Sequence, residues 1–141
     1  MIIADTGFWL ALGDKSDKHH QIANDFAKST DERLITTYPV MTEVCHLLLK
    51  RQGVKAQLNF ISMYRLGAFD VFEIPNEDKG RVFSLMQQYA DLPMDFADAS
   101  LVLLAEKLGH GKILSTDTRD FRTYRWKNAK PFRNFLAELM R

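Results

Sequence analysis

Two short apolar runs in this chain each end in an aspartate, Ile2-Ile3-Ala4 before Asp5 and Ile113-Leu114-Ser115-Thr116 before Asp117. If both runs are parallel strands, their carboxylates share one edge of the sheet, the edge beyond the strand ends where ligands of open α/β sheets bind. Two further acids stand where a helix turns inward. Glu43 lies about 60° around its helix from Val40 and closer still to Leu47, so it borders an apolar face. Asp98 sits among Phe96, Ala97, Ala99, Leu101 and Val102 at the start of the most hydrophobic helical segment. Convergent carboxylates repel, and in a low-dielectric pocket some stay protonated unless a cation joins them. An all-oxygen donor set selects a hard cation, Mg²⁺ or Mn²⁺; the chain lacks histidines and cysteines at zinc spacing. Such a centre hydrolyses phosphodiesters: the metal activates a water and neutralises the scissile phosphate, and two ions roughly 4 Å apart would serve both attacking and leaving oxygens.

Every acid but Glu43 also has a simpler explanation. Asp95 follows Pro93-Met94 and suits a helix N-cap, which makes Asp98 the third helical residue, where the dipole favours a carboxylate. Asp5, Asp117 and Asp120 suit caps of short helices or turns. Glu43, in mid-helix, has no such role. Thr6 and Thr116 flank the strand-end aspartates and are expected to support the site through phosphate or a metal-bound water, or to serve only as turn residues. His19, His20, His46 and His110 are read as packed or exposed histidines, not ligands. A Gly-rich phosphate loop, a Gly-x-Ser-x-Gly elbow and a Cys/His pair with a supporting acid are all missing.

The elements that must position these residues follow from periodicity. Strands are expected at 2–4, 34–36, about 69–74 and 112–115, with the region 124–126 as a candidate fifth. Helices are expected at 8–12, 17–28, from Pro39 to Gly53, at 55–66, at 77–89, and from Pro93 or Asp95 to Gly109. Strands alternating with helices imply a parallel sheet covered on both faces. The predicted fold is therefore α/β, a three-layer sandwich around a mostly parallel sheet of four or five strands. With 141 residues and 46% apolar composition, a single domain over 1–141 is expected. Asp5 interrupts what would be a signal-peptide core, and no apolar run approaches membrane length, so a soluble, non-exported chain is expected. The lone Cys45 suits a reducing cytoplasm. A net charge of +1 excludes an argument for nucleic acid from bulk charge. Local charge is more informative. Seven Lys or Arg lie between Arg119 and Arg141, among Phe121, Tyr124, Trp126, Phe132 and Phe135, and Lys50, Arg51, Lys55 and Arg65 form a second stretch without acids. Arg119, Arg122, Arg125 and Lys127 are candidate RNA contacts, with the rings as stacking surfaces or as anchors to the core.

Taken in order, Ile2-Ile3-Ala4-Asp5-Thr6-Gly7, Thr42-Glu43-Val44, Asp95-Phe96-Ala97-Asp98-Ala99-Ser100-Leu101 and Ser115-Thr116-Asp117-Thr118-Arg119-Asp120-Phe121 resemble the PIN-domain ribonucleases. Among these the sequence is most similar to the VapC-like toxins of toxin–antitoxin pairs. The likeness spans essentially the whole chain. It implies a parallel-sheet sandwich, a Mg²⁺ or Mn²⁺ site at Asp5, Glu43, Asp98 and Asp117, endoribonuclease activity, a homodimer and a cognate antitoxin protein as partner. Gly7 departs from the pattern, standing where many relatives have Ser or Asn, and Asp95 is an additional acid.

Other functions remain compatible with the same residues. The chain could be a housekeeping PIN nuclease that matures RNA, or a metal-free binding module that keeps the fold without catalysis. A receiver-like phospho-acceptor domain also places acids at strand ends, but it needs a lysine beyond a late strand, and Lys112 begins its strand instead.

Overall fold

The protein is described from a computed structural model over residues 1–140. Arg141, which ends both the expected 1–141 domain and the C-terminal basic stretch, lies outside the described residues. The strands are β1 (Ile2–Ala4), β2 (Leu34–Thr37), β3 (Asp70–Phe72), β4 (Lys112–Leu114), β5 (Arg125–Trp126), β6 (Lys130–Pro131) and β7 (Arg133–Asn134). The helices are α1 (Thr6–Gly13), α2 (His20–Ser29), α3 (Tyr38–Gln52), α4 (Val54–Arg65), α5 (Lys79–Gln88), α6 (Phe96–Leu108), α7 (Asp120–Thr123) and α8 (Phe135–Leu139), with a 3₁₀ turn at Asn76–Asp78.

The main sheet has the order β3-β2-β1-β4-β7, and every neighbouring pair is parallel. Helices flank it: α1 packs on α2 and α3, α3 on α4, and α5 on α6, while α6 also packs on β2 and α8 on β4. This is the expected α/β/α arrangement with five strands. The fifth strand is not the one expected, however. Arg125–Trp126 forms an antiparallel ribbon with Lys130–Pro131, and the sheet is completed by Arg133–Asn134 beside β4. Lys127 and Asn128 adopt positive φ at the tip of this ribbon, reversing the chain before a parallel pairing could form. The second helix also begins later than expected, at His20. Asp17 spends its carboxylate on the His19 N–H (2.8 Å) and its carbonyl on the His20 N–H (2.9 Å), closing a turn ahead of the helix.

β1 lies at the centre, and its register places the site. Ile3 is level with both Ile35 and Ile113, and Ala4 is level with Leu114. One residue further on, Asp5 and Ser115 leave adjacent strands side by side, and the Asp5 N–H still donates to Leu114 O at 3.0 Å. The Ala4 carbonyl just before Asp5 accepts from Thr36 Oγ1 (2.9 Å) and Trp9 Nε1 (3.3 Å), so the exit of β1 is fixed from two sides. Beneath it, residues 97 and 99–105 of α6 are all buried, including Leu101, Leu103 and Leu104. The near-continuous apolar sequence of α6 is thus that of a helix enclosed on nearly every side. Trp9, Phe60 and Phe69 add an aromatic cluster, with Trp9 and Phe69 centroids 4.6 Å apart. Among the described residues no helix is long and apolar enough to cross a membrane.

The start of β4 depends on a close approach. A Cβ on Gly111 would meet Trp126 Nε1 at 2.6 Å and the Phe132 backbone at 3.1 Å, displacing the indole from its hydrogen bond to Pro131 O. Gly111→Ala is therefore expected to cost roughly 1–3 kcal/mol, read as a lower urea midpoint with an unchanged slope.

Candidate functional site

The site forms where four elements end or begin. β1 delivers Asp5 and β4 delivers Asp117, while Glu43 comes from the second turn of α3 and Asp98 from the first turn of α6. Asp5 is 7% exposed, and both its oxygens are engaged: Oδ1 accepts from the Thr6 N–H (2.7 Å), capping α1, and Oδ2 accepts from Ser115 Oγ (2.8 Å). Capping and site membership are thus compatible in one residue. Burial, joined by the charges of Glu43 and Asp117, pushes the Asp5 carboxyl up to about 6 despite these bonds.

Asp98 is the more perturbed. Burial and the charges of Asp5, Asp95 and Asp117 push it up to about 8, against a lowering contact from Tyr124 Oη, which donates to Asp98 Oδ2 at 2.9 Å. Burial and the same carboxylate hold the Tyr124 hydroxyl above its ordinary range. Asp117 is partly buried; its N–H donates to Ser115 Oγ (3.0 Å), and its Oδ1 accepts from the Asp120 N–H (3.0 Å) at the start of α7. Burial and Asp117 raise the Asp120 carboxyl, with Arg119 Nε 3.5 Å away as partial compensation. Asp95 caps α6 as expected, its Oδ1 accepting from the Asp98 N–H at 2.8 Å.

Several residues that sequence reasoning passed over hold these acids in place. Ser115 links Asp5 to Asp117 by donating to one and accepting from the other. Asn134, on the edge strand β7, clamps Ser115 by accepting from its N–H (3.1 Å) and donating to its carbonyl (2.9 Å). Thr37 caps α3 and shares a 2.7 Å hydroxyl pair with Ser100, joining the helix that carries Glu43 to the helix that carries Asp98. Thr6 Oγ1 is buried with no hydrogen-bond partner. The local signal available for Ser115 was a hydroxyl two residues before the strand-end aspartate Asp117. For Asn134 and Ser100 the partner is distant in the chain, and no local pattern marks them.

Glu43 and Asp95 also line an open groove of about 950 Å³ walled by Tyr38, Phe72, Ile74 and Phe96. Of the candidate RNA contacts, Arg119 and Arg122 face solvent, whereas Arg125 turns its Nη1 back onto the carbonyls of Arg122, Thr123 and Tyr124. Lys127 lies over the Trp126 ring at 5.9 Å. Phe121, Tyr124 and Trp126 are buried, anchoring this segment to the core.

The donor set suits a hard divalent cation. It is all oxygen, and the neighbouring charges add to burial in raising the proton affinity of Asp5 and Asp98, a field that a cation relieves. Among the described residues no three potential ligands are already gathered as a closed cage.

Mutual repulsion has a consequence for stability. An acid whose folded value is raised is destabilising once ionised: its penalty is absent below about pH 4, grows with pH, and is complete above about pH 8 for Asp98. In chelator at pH 8, Asp98→Asn is therefore expected to stabilise the protein by about 2 kcal/mol, a rise of several degrees in Tm, and to do little at pH 4. Differential scanning calorimetry at the two pH values reads this directly.

Comparison with known proteins adds the following. Residues 2–127 match the family model of the PIN domain. The chain is 27% identical over 124 residues to ribonuclease VapC26 of Mycobacterium tuberculosis, a match covering 88% of this chain and 92% of that one. Among solved structures it is similar to M. tuberculosis VapC20, described as a sarcin-ricin loop cleaving toxin, with TM-score 0.76, 23% identity and coverage of 84% and 92%. PAE2754 of Pyrobaculum aerophilum has TM-score 0.61 and 18% identity, with coverage of 99% and 94%.

Proposed function

The chain belongs to the PIN-domain family, and we propose that it is a metal-dependent endoribonuclease acting as the toxin of a toxin–antitoxin pair. The observation that carries this reading is the convergence of Asp5, Glu43, Asp98 and Asp117, acids far apart in sequence whose charges act on one another across the ends of β1 and β4. VapC26 is named a ribonuclease and VapC20 a sarcin-ricin loop cleaving toxin, and both match this chain over most of their length. No observation favours a housekeeping role or a non-catalytic module over this reading.

Asp5, Glu43, Asp98 and Asp117 would hold Mg²⁺ or Mn²⁺, with Asp120, Asp95, Thr6 and Thr116 in support. The ion supplies charge neutralisation at the scissile phosphate and lowers the pKa of a bound water. The chain's own groups do the rest. Thr6 N–H and Ser115 Oγ fix both oxygens of Asp5, so its carboxylate presents one orientation. Tyr124 holds Asp98 by Oδ2, leaving Oδ1 without a hydrogen bond from the protein and able to accept the proton of the attacking water. Water oxygen bonds to phosphorus, one P–O ester bond breaks, and the leaving oxygen takes a proton from solvent. Arg119 and Arg122, exposed on either side of Asp120 and Phe121, would contact RNA phosphates.

The antitoxin is assigned to the open groove that Glu43 and Asp95 share with Tyr38, Phe72 and Phe96, where a bound chain would cover the acids. Leu49, Val54 and Leu58, exposed along α3 and α4, are offered as the face of a homodimer. The lone, half-buried Cys45 suits a reducing cytoplasm.

The purified protein is expected to cleave single-stranded RNA with Mg²⁺ or Mn²⁺ and to stop on addition of chelator. Asp5→Asn should lower the rate at least about a hundredfold, roughly 2.7 kcal/mol of barrier, with unchanged circular dichroism. Undiminished cleavage by that variant would falsify the assigned centre.

A further inference from the structure

Beside the acid cluster, and sharing no lining residue with the groove, lies a separate pocket of about 330 Å³, where Asp17, Lys18, His19, Arg51 and Thr116 stand with Gly7 and the apolar Leu10. It shares a wall with the acids, because Gly7 follows Asp5 by two residues and Thr116 stands between Ser115 and Asp117. Its character is opposite to theirs. Lys18, His19 and Arg51 line it with one acid, Asp17, whose Oδ1 is already spent on the His19 N–H, while Asp14, beyond the pocket, also lies within the field of Arg51. Neither Lys18 nor Arg51 forms an ion pair among the described residues. His19 begins α2 without a side-chain capping bond.

The pocket's inner wall is set by an unusual contact. A Cβ on Gly7 would lie 1.8 Å from Thr116 Oγ1, so the space any other residue's side chain would occupy is filled by the threonine hydroxyl. The Gly7 N–H, in the first turn of α1, has no carbonyl four residues back inside the helix to receive it. Backbone N–H, a hydroxyl and two unpaired cations are the groups that bind a phosphate.

We propose that this pocket binds a backbone phosphate of the RNA adjacent to the one cleaved. This rests on the ribonuclease reading for its ligand and extends it by a binding subsite. The subsite orients the strand: cations attract the neighbouring phosphate into a position from which the scissile one reaches the acids, whose own field repels it. Lys18, His19 and Arg51 are binding residues here and take no part in bond breaking.

The test is equilibrium binding of a fluorescein-labelled, single-stranded RNA oligonucleotide by anisotropy, in chelator, across a salt series. Lys18→Ala with Arg51→Ala is expected to weaken binding about tenfold at 0.1 M salt. It should also reduce the slope of log affinity against log salt by about 0.7, the value for one lost phosphate contact on a single strand. Lys79→Ala, an exposed lysine at the start of α5, serves as control and is expected to change neither. Both altered side chains are exposed, so the fold should be kept. Binding equal to wild type in the double variant, an equal loss in the control, or no RNA binding by the wild-type protein overturns the proposal. Cleavage with Mn²⁺ is measured in parallel: a wild-type protein that shows the binding signature but cuts no RNA defeats the ribonuclease reading and leaves the phosphate pocket standing.

Discussion

Asp5 is a carboxylate held in a place where ionisation is unfavourable, and most of the architecture serves to keep it there. It leaves the central strand of a parallel sheet with one oxygen committed to its own helix and the other to Ser115 on the neighbouring strand. That pairing needs β1 and β4 to be adjacent and in register to the residue, since a slip of one position would turn Asp5 or Ser115 to the other face. The lateral bonds to the Ala4 carbonyl and the clamp of Asn134 on Ser115 secure this register from both sides of the sheet.

Around this fixed carboxylate the fold gathers further acids and so works against itself electrostatically. A protein selected for stability alone would not place Asp98 in a partly buried position within the field of Asp5, Asp95 and Asp117. The cost is met by the apolar body of α6 and the aromatic cluster under α1, which hold the charged helix starts in place. Strain of this kind marks function more specifically than the presence of acids does, since an acid at a helix start, such as Asp95, is accounted for by its capping bond alone.

The parts of this arrangement that were legible in the sequence are those whose signal is local. An apolar run with an Asp directly after it or three residues beyond marked both strand ends, and helical spacing put Glu43 and Asp98 at the margin of apolar faces. What escaped was non-local. Ser115 carries a hydroxyl that could serve any turn, and only the strand register makes it the link between two acids. The Thr37–Ser100 pair spans 63 positions. The fifth strand was misplaced because a two-residue pairing carries no periodicity: Arg125–Trp126 has the β-rich composition, yet Arg133–Asn134 has the partner, supplied by the Asn134 amide more than by any apolar side chain. The basic, aromatic C-terminal stretch was ambiguous for a related reason. Composition cannot separate rings that stack on a ligand from rings that anchor a tail, and the burial of Phe121, Tyr124 and Trp126 selects the anchor.

The departure at Gly7 shows how one position changes the surroundings of an otherwise ordinary acidic centre. A residue with a side chain there would project toward Thr116; glycine instead lets the Thr116 hydroxyl close against the helix start, 1.8 Å from where a Cβ would be. The two flanks of the acid cluster then differ in kind, one an apolar groove bordered by Glu43 and Asp95, the other a small polar pocket bordered by cations. On the proposed reading, the cationic pocket attracts a polyanion that crosses the acids, with Arg119 and Arg122 as further contacts, before any base is read. The asymmetry arises from Lys18 and His19 ahead of α2 and Arg51 near the end of α3, set against a Gly7–Thr116 wall that the register of β1 and β4 brings together.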